Sequence, residues 1–221
     1  CLAPETLVLN AEYNWVPLGS LRVGDPIVAF DEEPQEGRGQ QRQLRRAHVE
    51  RVTTKTLPCF EIETDKGTRT VASVGHKWLA LQESQRSPEW RTTEQIGVGD
   101  KIAYFGDTWG KPEDREAAAY LAGLFDGEGW VDNSRVAFAQ NPGPVLDNGI
   151  KMLERLGFSV AVRSANGNST GCMSVQVLGG YRELMRFGGQ IPSIRLAPKI
   201  EHAWVGKSLT RKGRNAVKDD S

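Results

Sequence analysis

The pattern of apolar residues changes at residues 108–112, and this change limits the folds that are open to the chain. Residues 1–108 carry short runs of Val, Ile, Leu, Phe and Thr that Gly, Pro and Asp interrupt, as is typical of β-strands. After the change, Pro112 and two acidic residues precede an Ala-rich stretch over 114–125, which predicts a helix. The sequence therefore predicts an all-β first half and a second half that mixes helices and strands.

The β-rich half contains an internal repeat. The sequence LRVGDPIVAFD at residues 21–31 returns as IGVGDKIAYFGD at residues 96–107. Each copy places a Val-Gly-Asp turn before an apolar strand, and glycine permits the tight turn that both copies need. Such a repeat is typical of a duplicated β unit. The polar, Gln- and Arg-rich segment 32–47 predicts a loop.

Turn residues divide the second half into a regular order of elements. The predicted elements are a helix over 114–125, a hairpin over 130–140, a helix over 145–156, a hairpin over 158–177 and a helix near 181–187. We therefore expect a multidomain chain with boundaries at residues 1–110, at residues 111–205, and at a basic tail or linker over residues 206–221.

Composition excludes several classes of protein. Hydrophobic residues make up 38% and charged residues 25% of the 221 positions, which is the profile of a globular chain and excludes disorder and collagen. No apolar stretch approaches the roughly 20 residues of a membrane helix, so we expect no membrane partner. The net charge is zero, so bulk charge does not indicate nucleic acid. Three cysteines favour a reducing compartment, and we expect a cytoplasmic protein.

Two segments of the first half carry a nucleophile and a histidine. The chain starts CLAPETLVL with Cys1, and VASVGHKWL at residues 71–79 carries Ser73 and His76. With the two Val-Gly-Asp turns, these segments resemble the N-terminal part of an intein, within the Hint family of self-processing domains, over about residues 1–107. The resemblance implies an all-β, horseshoe-like Hint domain in which Cys1, Ser73 and His76 are catalytic.

The implied reaction is an N-S acyl shift. The thiol of Cys1 attacks the carbonyl of a preceding residue and converts an amide into a thioester, so the departing nitrogen needs a proton donor. An imidazole with a pKa near neutrality suits this role, which falls to His76. Ser73 would hydrogen-bond the scissile amide, and no cofactor is implied for splicing.

The last residues depart from the splicing pattern. Splicing inteins finish with His-Asn before Cys, Ser or Thr, whereas this chain finishes Val-Lys-Asp-Asp-Ser. The second half of the splicing reaction is therefore expected to be missing. Two alternatives stay open: a split intein that a complementing C-terminal intein segment completes, or a chain from which the final segment was removed.

The sequence YLAGLFDGEG at residues 120–129 carries a second resemblance. Together with the hairpins and helices that follow through about residue 205, it is identified as a single LAGLIDADG unit of the homing endonuclease family. The resemblance implies an α+β fold of order αββαββα and a site-specific endonuclease that hydrolyses both strands of a DNA target. A nuclease unit after a β-rich self-processing half is the layout of an intein that carries an endonuclease, expected in a microbial or viral host.

The motif has a physical logic in two parts. The small residues Ala119, Ala122 and Gly123 would let two such helices pack closely, as a dimer interface. Glycines 127 and 129 would then make a sharp turn that projects a carboxylate from the helix end, while Asp126 caps or braces that turn. Glu128 matches the family's acidic metal ligand, which implies Mg²⁺ or another divalent cation.

One copy of the motif implies partners. The second acid must come from a second chain, so we expect a homodimer on a double-stranded DNA site. The resemblance makes Gln140 a residue near the active-site water and Lys199 or Arg195 the cation beside the phosphate. The sheet would lie in the major groove, where the candidate DNA contacts are Arg135, Gln140, Arg163, Ser164, Asn166 and Arg195.

Other functions stay open beside this bifunctional one. A DNA-binding module with a decayed nuclease would keep the same motif, because Glu and Asp both bind hard metals. A self-processing protease of the hedgehog-like kind would keep the Cys1 chemistry and use the second half as an inert insert. A third alternative is a plain two-domain structural protein, in which both sets of residues would occur by coincidence.

Overall fold

The computed structural model describes residues 1–34, 42–82, 85, 87–164 and 171–208. Within this part the chain forms two compact units, and each unit draws on separate stretches of sequence. The first unit comprises residues 1–10, 15–27 and 48–108, whereas the second comprises residues 11–14, 28–47 and the residues after 108. The domain limits at residues 110 and 205 stay predictions. The apolar pattern of the sequence does not indicate that residues 11–14 and 28–47 pack with the second unit.

The first half consists mainly of short strands, as its interrupted apolar runs predict, but residues 44–47 of the predicted loop belong to a strand. The strands are β1 (Leu7–Leu9), β2 (Trp15–Pro17), β3 (Pro26–Phe30), β4 (Leu44–His48), β5 (Cys59–Glu63), β6 (Arg69–Ser73), β7 (Lys77–Leu81), β8 (Glu89–Thr92) and β9 (Lys101–Ile102). They pair as β1-β2, β3-β4 and β5-β6 and as a three-stranded sheet in the order β8-β7-β9. These are several small sheets, and the horseshoe-like Hint fold stays a prediction.

Both copies of the repeated turn adopt the same geometry. Gly24 and Gly99 have φ angles of +94° and +98°, in the left-handed region that favours glycine. In each copy an aspartate accepts a hydrogen bond from a backbone N–H three residues earlier, at 2.7 Å for Asp25 and 3.0 Å for Asp100. The repeat in the sequence is therefore a repeat in backbone structure.

The second half has the predicted order of helices and strands, followed by one more helix. Its elements are α1 (Arg115–Glu128), β10 (Gly129–Asp132), β11 (Arg135–Gln140), α2 (Pro144–Arg155), β12 (Val160–Ser164), β13 (Met173–Val177), α3 (Gly180–Gln190) and α4 (Ala197–Trp204). The sequence analysis missed α4. Its signals were a proline in the first turn and the helical spacing of Ile200, Ala203 and Trp204, which are buried.

The four strands of this half form one antiparallel sheet in the order β10-β11-β13-β12. One face of the sheet packs on the helices, and phenylalanines fill the space between them. The ring of Phe138 on β11 lies 5.3 Å from that of Phe125 on α1, which lies 4.7 Å from Phe187 on α3. All three rings are fully buried, so α1 stands on a rigid aromatic core.

A short early segment completes this second unit. The hydroxyl of Tyr13 accepts a hydrogen bond from Nε1 of the buried Trp204 at 2.9 Å, and its carbonyl accepts one from Trp109 Nε1 at 2.9 Å. A methyl group on Gly188 would lie 2.6 Å from the Tyr13 ring, so glycine makes room for it. Burial raises the pKa of Tyr13 to about 12.

Candidate functional site

The helix α1 begins with a cap and buries one face. Asp114 is the N-cap, and its Oδ1 accepts a hydrogen bond from the N–H of Ala117 at 2.9 Å. Arg155, at the end of α2, forms an ion pair with the same aspartate. Ala117, Leu121 and Phe125 are spaced four residues apart and are fully buried, which fixes the rotation of the helix about its axis.

The opposite face of α1 is an exposed ridge of small residues. The small-residue ridge consists of Ala119, Gly123 and Gly127, which are spaced four apart and all exposed. A methyl group built on Gly123 or Gly127 would meet no heavy atom within 4 Å. Of the predicted interface residues, Ala119 and Gly123 lie on this ridge and Ala122 is half-buried beside it. The sequence analysis missed Gly127.

The end of α1 differs from the sequence-based expectation. The helix continues through Glu128, and Gly129 has a φ of −82°, so no left-handed turn ends the helix there. The expectation that glycines 127 and 129 make a sharp turn was therefore wrong. Gly129 is required for space instead, because a methyl group there would lie 2.6 Å from both the ring and the carbonyl of Phe125.

Glu128 is exposed at the last position of α1. The next residue, Gly129, pairs with Phe138, and β11 runs two residues further to Gln140. Gln140 therefore lies at the same end of the sheet as Glu128. Its side-chain Oε1 accepts a hydrogen bond from the N–H of Asn141 at 3.0 Å. The structure thus places two of the predicted catalytic residues, Glu128 and Gln140, at the same end of the sheet.

Asp126, two residues before the helix end, binds the segment that leads into α4. Its carboxylate accepts hydrogen bonds from the hydroxyl of Ser193 at 2.6 Å and from the N–H groups of Arg195 at 3.0 Å and Ile194 at 3.4 Å. The Ser193 bond, followed by the backbone bond of Arg195, lowers the pKa of Asp126 below its ordinary value. Asp126 thus braces the helix end against this segment.

The side chain of Arg195 binds the carbonyl end of α1. Its Nη2 donates to the carbonyls of Phe125 at 2.9 Å, Gly127 at 3.3 Å and Gly129 at 2.6 Å. The carbonyl of Gly127 belongs to the last turn of α1, where carbonyls lack partners within the helix, whereas that of Phe125 also accepts the N–H of Gly129. We call Asp126, Ser193 and Arg195 the helix-end clamp. The proposed phosphate contact of Arg195 stays a prediction, and the structure gives its Nη2 these intramolecular acceptors.

The sheet has a second face that is turned away from α1. Residues that pair across antiparallel strands share a face, so Arg135, Arg163, Ser174 and Gln176 lie opposite the face that carries Phe138. We call this side the helix-free face. Arg135 and Arg163 are exposed on it, as a DNA contact requires. Lys199, by contrast, is exposed on α4.

Two of the other predicted DNA contacts lie elsewhere. By the same alternation Gln140 and Ser164 belong to the face that carries Phe138, at strand ends. Asn166 lies outside the described residues. The sequence analysis missed Ser174, which is buried on the helix-free face and whose hydroxyl has no hydrogen-bond partner among the described residues.

In the first unit, Cys1 and Ser73 are in direct contact. The nitrogen of Cys1 donates to the hydroxyl of Ser73 at 2.7 Å, and the N–H of Ser73 donates to the carbonyl of Cys1 at 2.8 Å. An isolated bridge between Leu2 and Ala72 extends this pairing along β6. Ser73 is buried, so its hydroxyl is held in place, whereas Cys1 is exposed. The structure thus brings a thiol-bearing residue and a buried hydroxyl together.

His76 lies directly before β7 and is tied to Ser73 through the backbone. The N–H of His76 donates to the carbonyl of Ser73 at 2.9 Å, and its ring lies 4.8 Å from that of Trp78, edge to face. Trp78 in turn donates from Nε1 to the hydroxyl of Thr93 at 3.0 Å. Burial, followed by the positive charge on the Cys1 nitrogen, lowers the pKa of His76.

Neither site has a complete set of metal ligands among the described residues. Among the described residues, no group of three or more His, Cys, Asp or Glu side chains lies close enough to bind a metal ion. At the end of α1 the exposed Glu128 is one carboxylate, and Asp126 is engaged in the helix-end clamp. In that same part of the chain, no helix has the length and apolar character to cross a membrane.

Comparison with known proteins shows what the part of the chain around the second site is similar to. Residues 115–192 match the model of the LAGLIDADG-like domain, which covers α1 to α3. A stretch of 112 residues, 49% of the chain, is 32% identical to the replicative DNA helicase DnaB of Mycobacterium leprae (strain TN) and spans 16% of that protein. The chain is thus similar to a small part of this relative. Residues 115–192 are thus similar to a LAGLIDADG-like domain.

Proposed function

We propose that the chain is a site-specific DNA endonuclease that acts as a homodimer, with Glu128 as the metal ligand. LAGLIDADG-like domains are typically endonucleases or DNA-binding domains, which supports the class of activity. One observation carries the rest: the small-residue ridge of α1 is exposed along its length and ends at the exposed Glu128. A helix with this face is suited to pack closely on its own copy.

Dimerisation would complete the metal site. Two ridges in contact bring two copies of Glu128 to one end of a helix pair, and DNA phosphates supply further oxygen ligands. Hard oxygen ligands suit Mg²⁺, which when bound activates water and stabilises the leaving oxyanion. Among the described residues, a single chain offers Glu128 as the carboxylate there that is not engaged in the helix-end clamp, so activity should depend on the second copy.

The helix-free face is the proposed DNA surface. The exposed guanidinium groups of Arg135 and Arg163 stand on the four-stranded sheet, from which long side chains could reach into a major groove. Arg is suited to bidentate contacts with guanine and with phosphates. A match to a protein named a replicative DNA helicase agrees with a role on DNA, although it spans 16% of that protein.

The test replaces the metal ligand. Purified protein and its E128Q variant are incubated with a plasmid library of randomised inserts and Mg²⁺, and double-strand ends are sequenced. We expect the E128Q variant to lose at least about 100-fold in cleavage rate, because the amide no longer carries the charge that holds the cation. Its affinity for the selected site in Ca²⁺ should change little.

The control is E154Q, which removes another exposed carboxylate, on α2. Equal cleavage by the E128Q and wild-type proteins would contradict the assignment of Glu128. Wild-type protein that binds a selected duplex but never cuts it, in Mg²⁺ or Mn²⁺, would identify a decayed nuclease instead.

A second candidate activity is favoured by the contact between Cys1 and Ser73. In a precursor with a residue before Cys1, the thiol adds to that residue's carbonyl carbon, the C–N bond breaks, and the nitrogen takes a proton. The 2.7 Å contact between the terminal nitrogen of Cys1 and the Ser73 hydroxyl supports a role for Ser73 at that nitrogen. His76 is the proposed proton donor. It lies three residues after Ser73, and its backbone N–H is hydrogen-bonded to the Ser73 carbonyl.

A precursor with an upstream peptide tests the acyl shift. Added dithiothreitol should release the peptide from the wild-type precursor, because the thioester exchanges with thiols. The C1A variant should release none, whereas the C172A control should match the wild type. Release from the C1A precursor would exclude this chemistry. Release from the wild type without any DNA cleavage would favour the self-processing protease with an inert insert.

A further inference from the structure

We propose that Arg195 is a positioning residue that holds the end of α1, and thereby Glu128, in the geometry needed for metal binding. The inference deepens the proposed nuclease function and rests on it. It concerns a side chain that the sequence analysis assigned to the phosphate, whereas the structure gives its Nη2 three acceptors within the chain.

The three acceptors bracket the acid in sequence. The carbonyls of Gly127 and Gly129 come directly before and after Glu128, and that of Phe125 lies one turn earlier. One nitrogen that binds all three restrains the peptide units on both sides of the metal ligand. The positive guanidinium also lies at the negative end of the helix dipole, where a cation is stabilising.

Asp126 provides a second attachment from the same segment. Its carboxylate accepts from the hydroxyl of Ser193 at 2.6 Å and the N–H of Arg195 at 3.0 Å. Arg195 therefore binds the helix end through its backbone and through its side chain. This double attachment prevents the final turn of α1 from fraying.

The segment that carries the clamp is itself anchored. Ile191 and Leu196 flank it and are both buried. Ser193 is also buried, and its hydroxyl accepts from the N–H of Leu196 at 3.2 Å. The clamp thus transmits the rigidity of the core to an acid that is exposed and has two glycines as neighbours. Glycine neighbours raise the freedom of the backbone, which the clamp removes.

The experiment compares R195Q and R195K with R155Q. Arg155 belongs to α2 and forms its ion pair with Asp114, at the other end of α1, so R155Q removes a similar charge that contacts the same helix. Cleavage rates are measured against Mg²⁺ concentration in single turnovers, and DNA affinity is measured in Ca²⁺ against salt. Hydrogen exchange is followed at the amides of residues 127–130.

A positioning role predicts a specific pattern. For R195Q, the Mg²⁺ concentration at half-maximal rate should rise about 10-fold to 100-fold, as for residues that orient metal ligands. The slope of log affinity against log salt should stay unchanged, and exchange at residues 127–130 should become faster. R195K should fall between, because an ammonium makes fewer of these contacts, and R155Q should match the wild type.

Other results would overturn the inference. An Arg195 that contacts phosphate would instead lower the salt slope by about one without changing the Mg²⁺ dependence. If R195Q does not fold, S193A gives the same test, because it removes one hydroxyl from the clamp. If the wild type cleaves nothing, the nuclease proposal fails. The exchange rates still decide the clamp, and equal rates in R195Q and R155Q would contradict it.

Discussion

The two candidate sites rest on different supports. Glu128 ends a helix whose buried face packs on Phe138 and Phe187 through Phe125. Cys1 instead pairs with β6 in a unit whose buried apolar side chains, among the described residues, are Leu9, Ala72, Leu79 and Ala80. The first site stands on a wide aromatic core, and the second is held mainly by backbone hydrogen bonds.

The two sites are therefore held in place in different ways. A packed core sets the position of α1 to within a fraction of an ångström, and the helix-end clamp then fixes its last turn. The Cys1 site depends on two reciprocal hydrogen bonds with Ser73, at 2.7 and 2.8 Å. Core substitutions should therefore disturb the nuclease site most, whereas changes of solution conditions should disturb the Cys1 site.

The largest expected effect is on the aromatic core. F125A should lower the free energy of unfolding of the second unit by about 3–5 kcal/mol, since it leaves a cavity among fully buried rings. L79A, in the first unit, should cost less, because a small sheet collapses more easily around the gap. Urea unfolding of both variants checks this. Equal losses would show that the two cores do not differ as described.

The next effect tests the space at the helix end. A methyl group on Gly129 would lie 2.6 Å from the Phe125 carbonyl, so G129A should destabilise the second unit by about 1–3 kcal/mol. It should also displace Glu128 and raise the Mg²⁺ requirement. G127A is the matched control for the stability measurement alone, since its methyl group meets nothing within 4 Å. Calorimetric melts that rank the two the other way would contradict the packing described.

The small-residue ridge gives a change of the opposite sign. G123A should stabilise the second unit by up to about 1 kcal/mol, because alanine favours the helix and its methyl group has open space. G123L should weaken the homodimer, since a larger side chain separates the helices. Sedimentation equilibrium measures the association. A G123L protein that dimerises as the wild type does would place the interface elsewhere.

The smallest effect concerns pH and the first unit. The folded-state pKa of His76 is lowered, so the folded state binds a proton less readily than the unfolded state. This contribution to stability is fully present above the ordinary pKa of about 6.5 and is lost as pH falls through the lowered value. H76Q should flatten the pH dependence of urea unfolding below pH ~6.5.

The sequence predicted the order of elements in the second half because each has a local signal. Pro112 and the alanines mark α1, and turn residues mark the hairpin between β10 and β11. The helix-end clamp has no such signal. Ser193 and Arg195 lie 67 and 69 residues from Asp126, and nothing local indicates that they meet. The carbonyl acceptors of Arg195 are backbone atoms, which every sequence contains.

The role of the motif glycines shows a different limit. Glycines at the end of a helix often permit a turn, and the sequence analysis expected glycines 127 and 129 to make a sharp turn there. The structure uses the missing side chain to let Phe125 approach. Both roles require glycine, so the residue type could be explained in two ways until the neighbouring ring was placed.

The contact of Tyr13 with Trp204 bears on how the nuclease-like part can be handled alone. A fragment that starts at residue 110 would omit Tyr13, which supplies the acceptor for the buried indole and fills the notch at Gly188. Such a fragment would open a hydrophobic slot to water and would tend to precipitate. A fragment cut at the boundary that the sequence suggests therefore loses part of its own core. A stable recombinant fragment must also contain the segment that carries Tyr13.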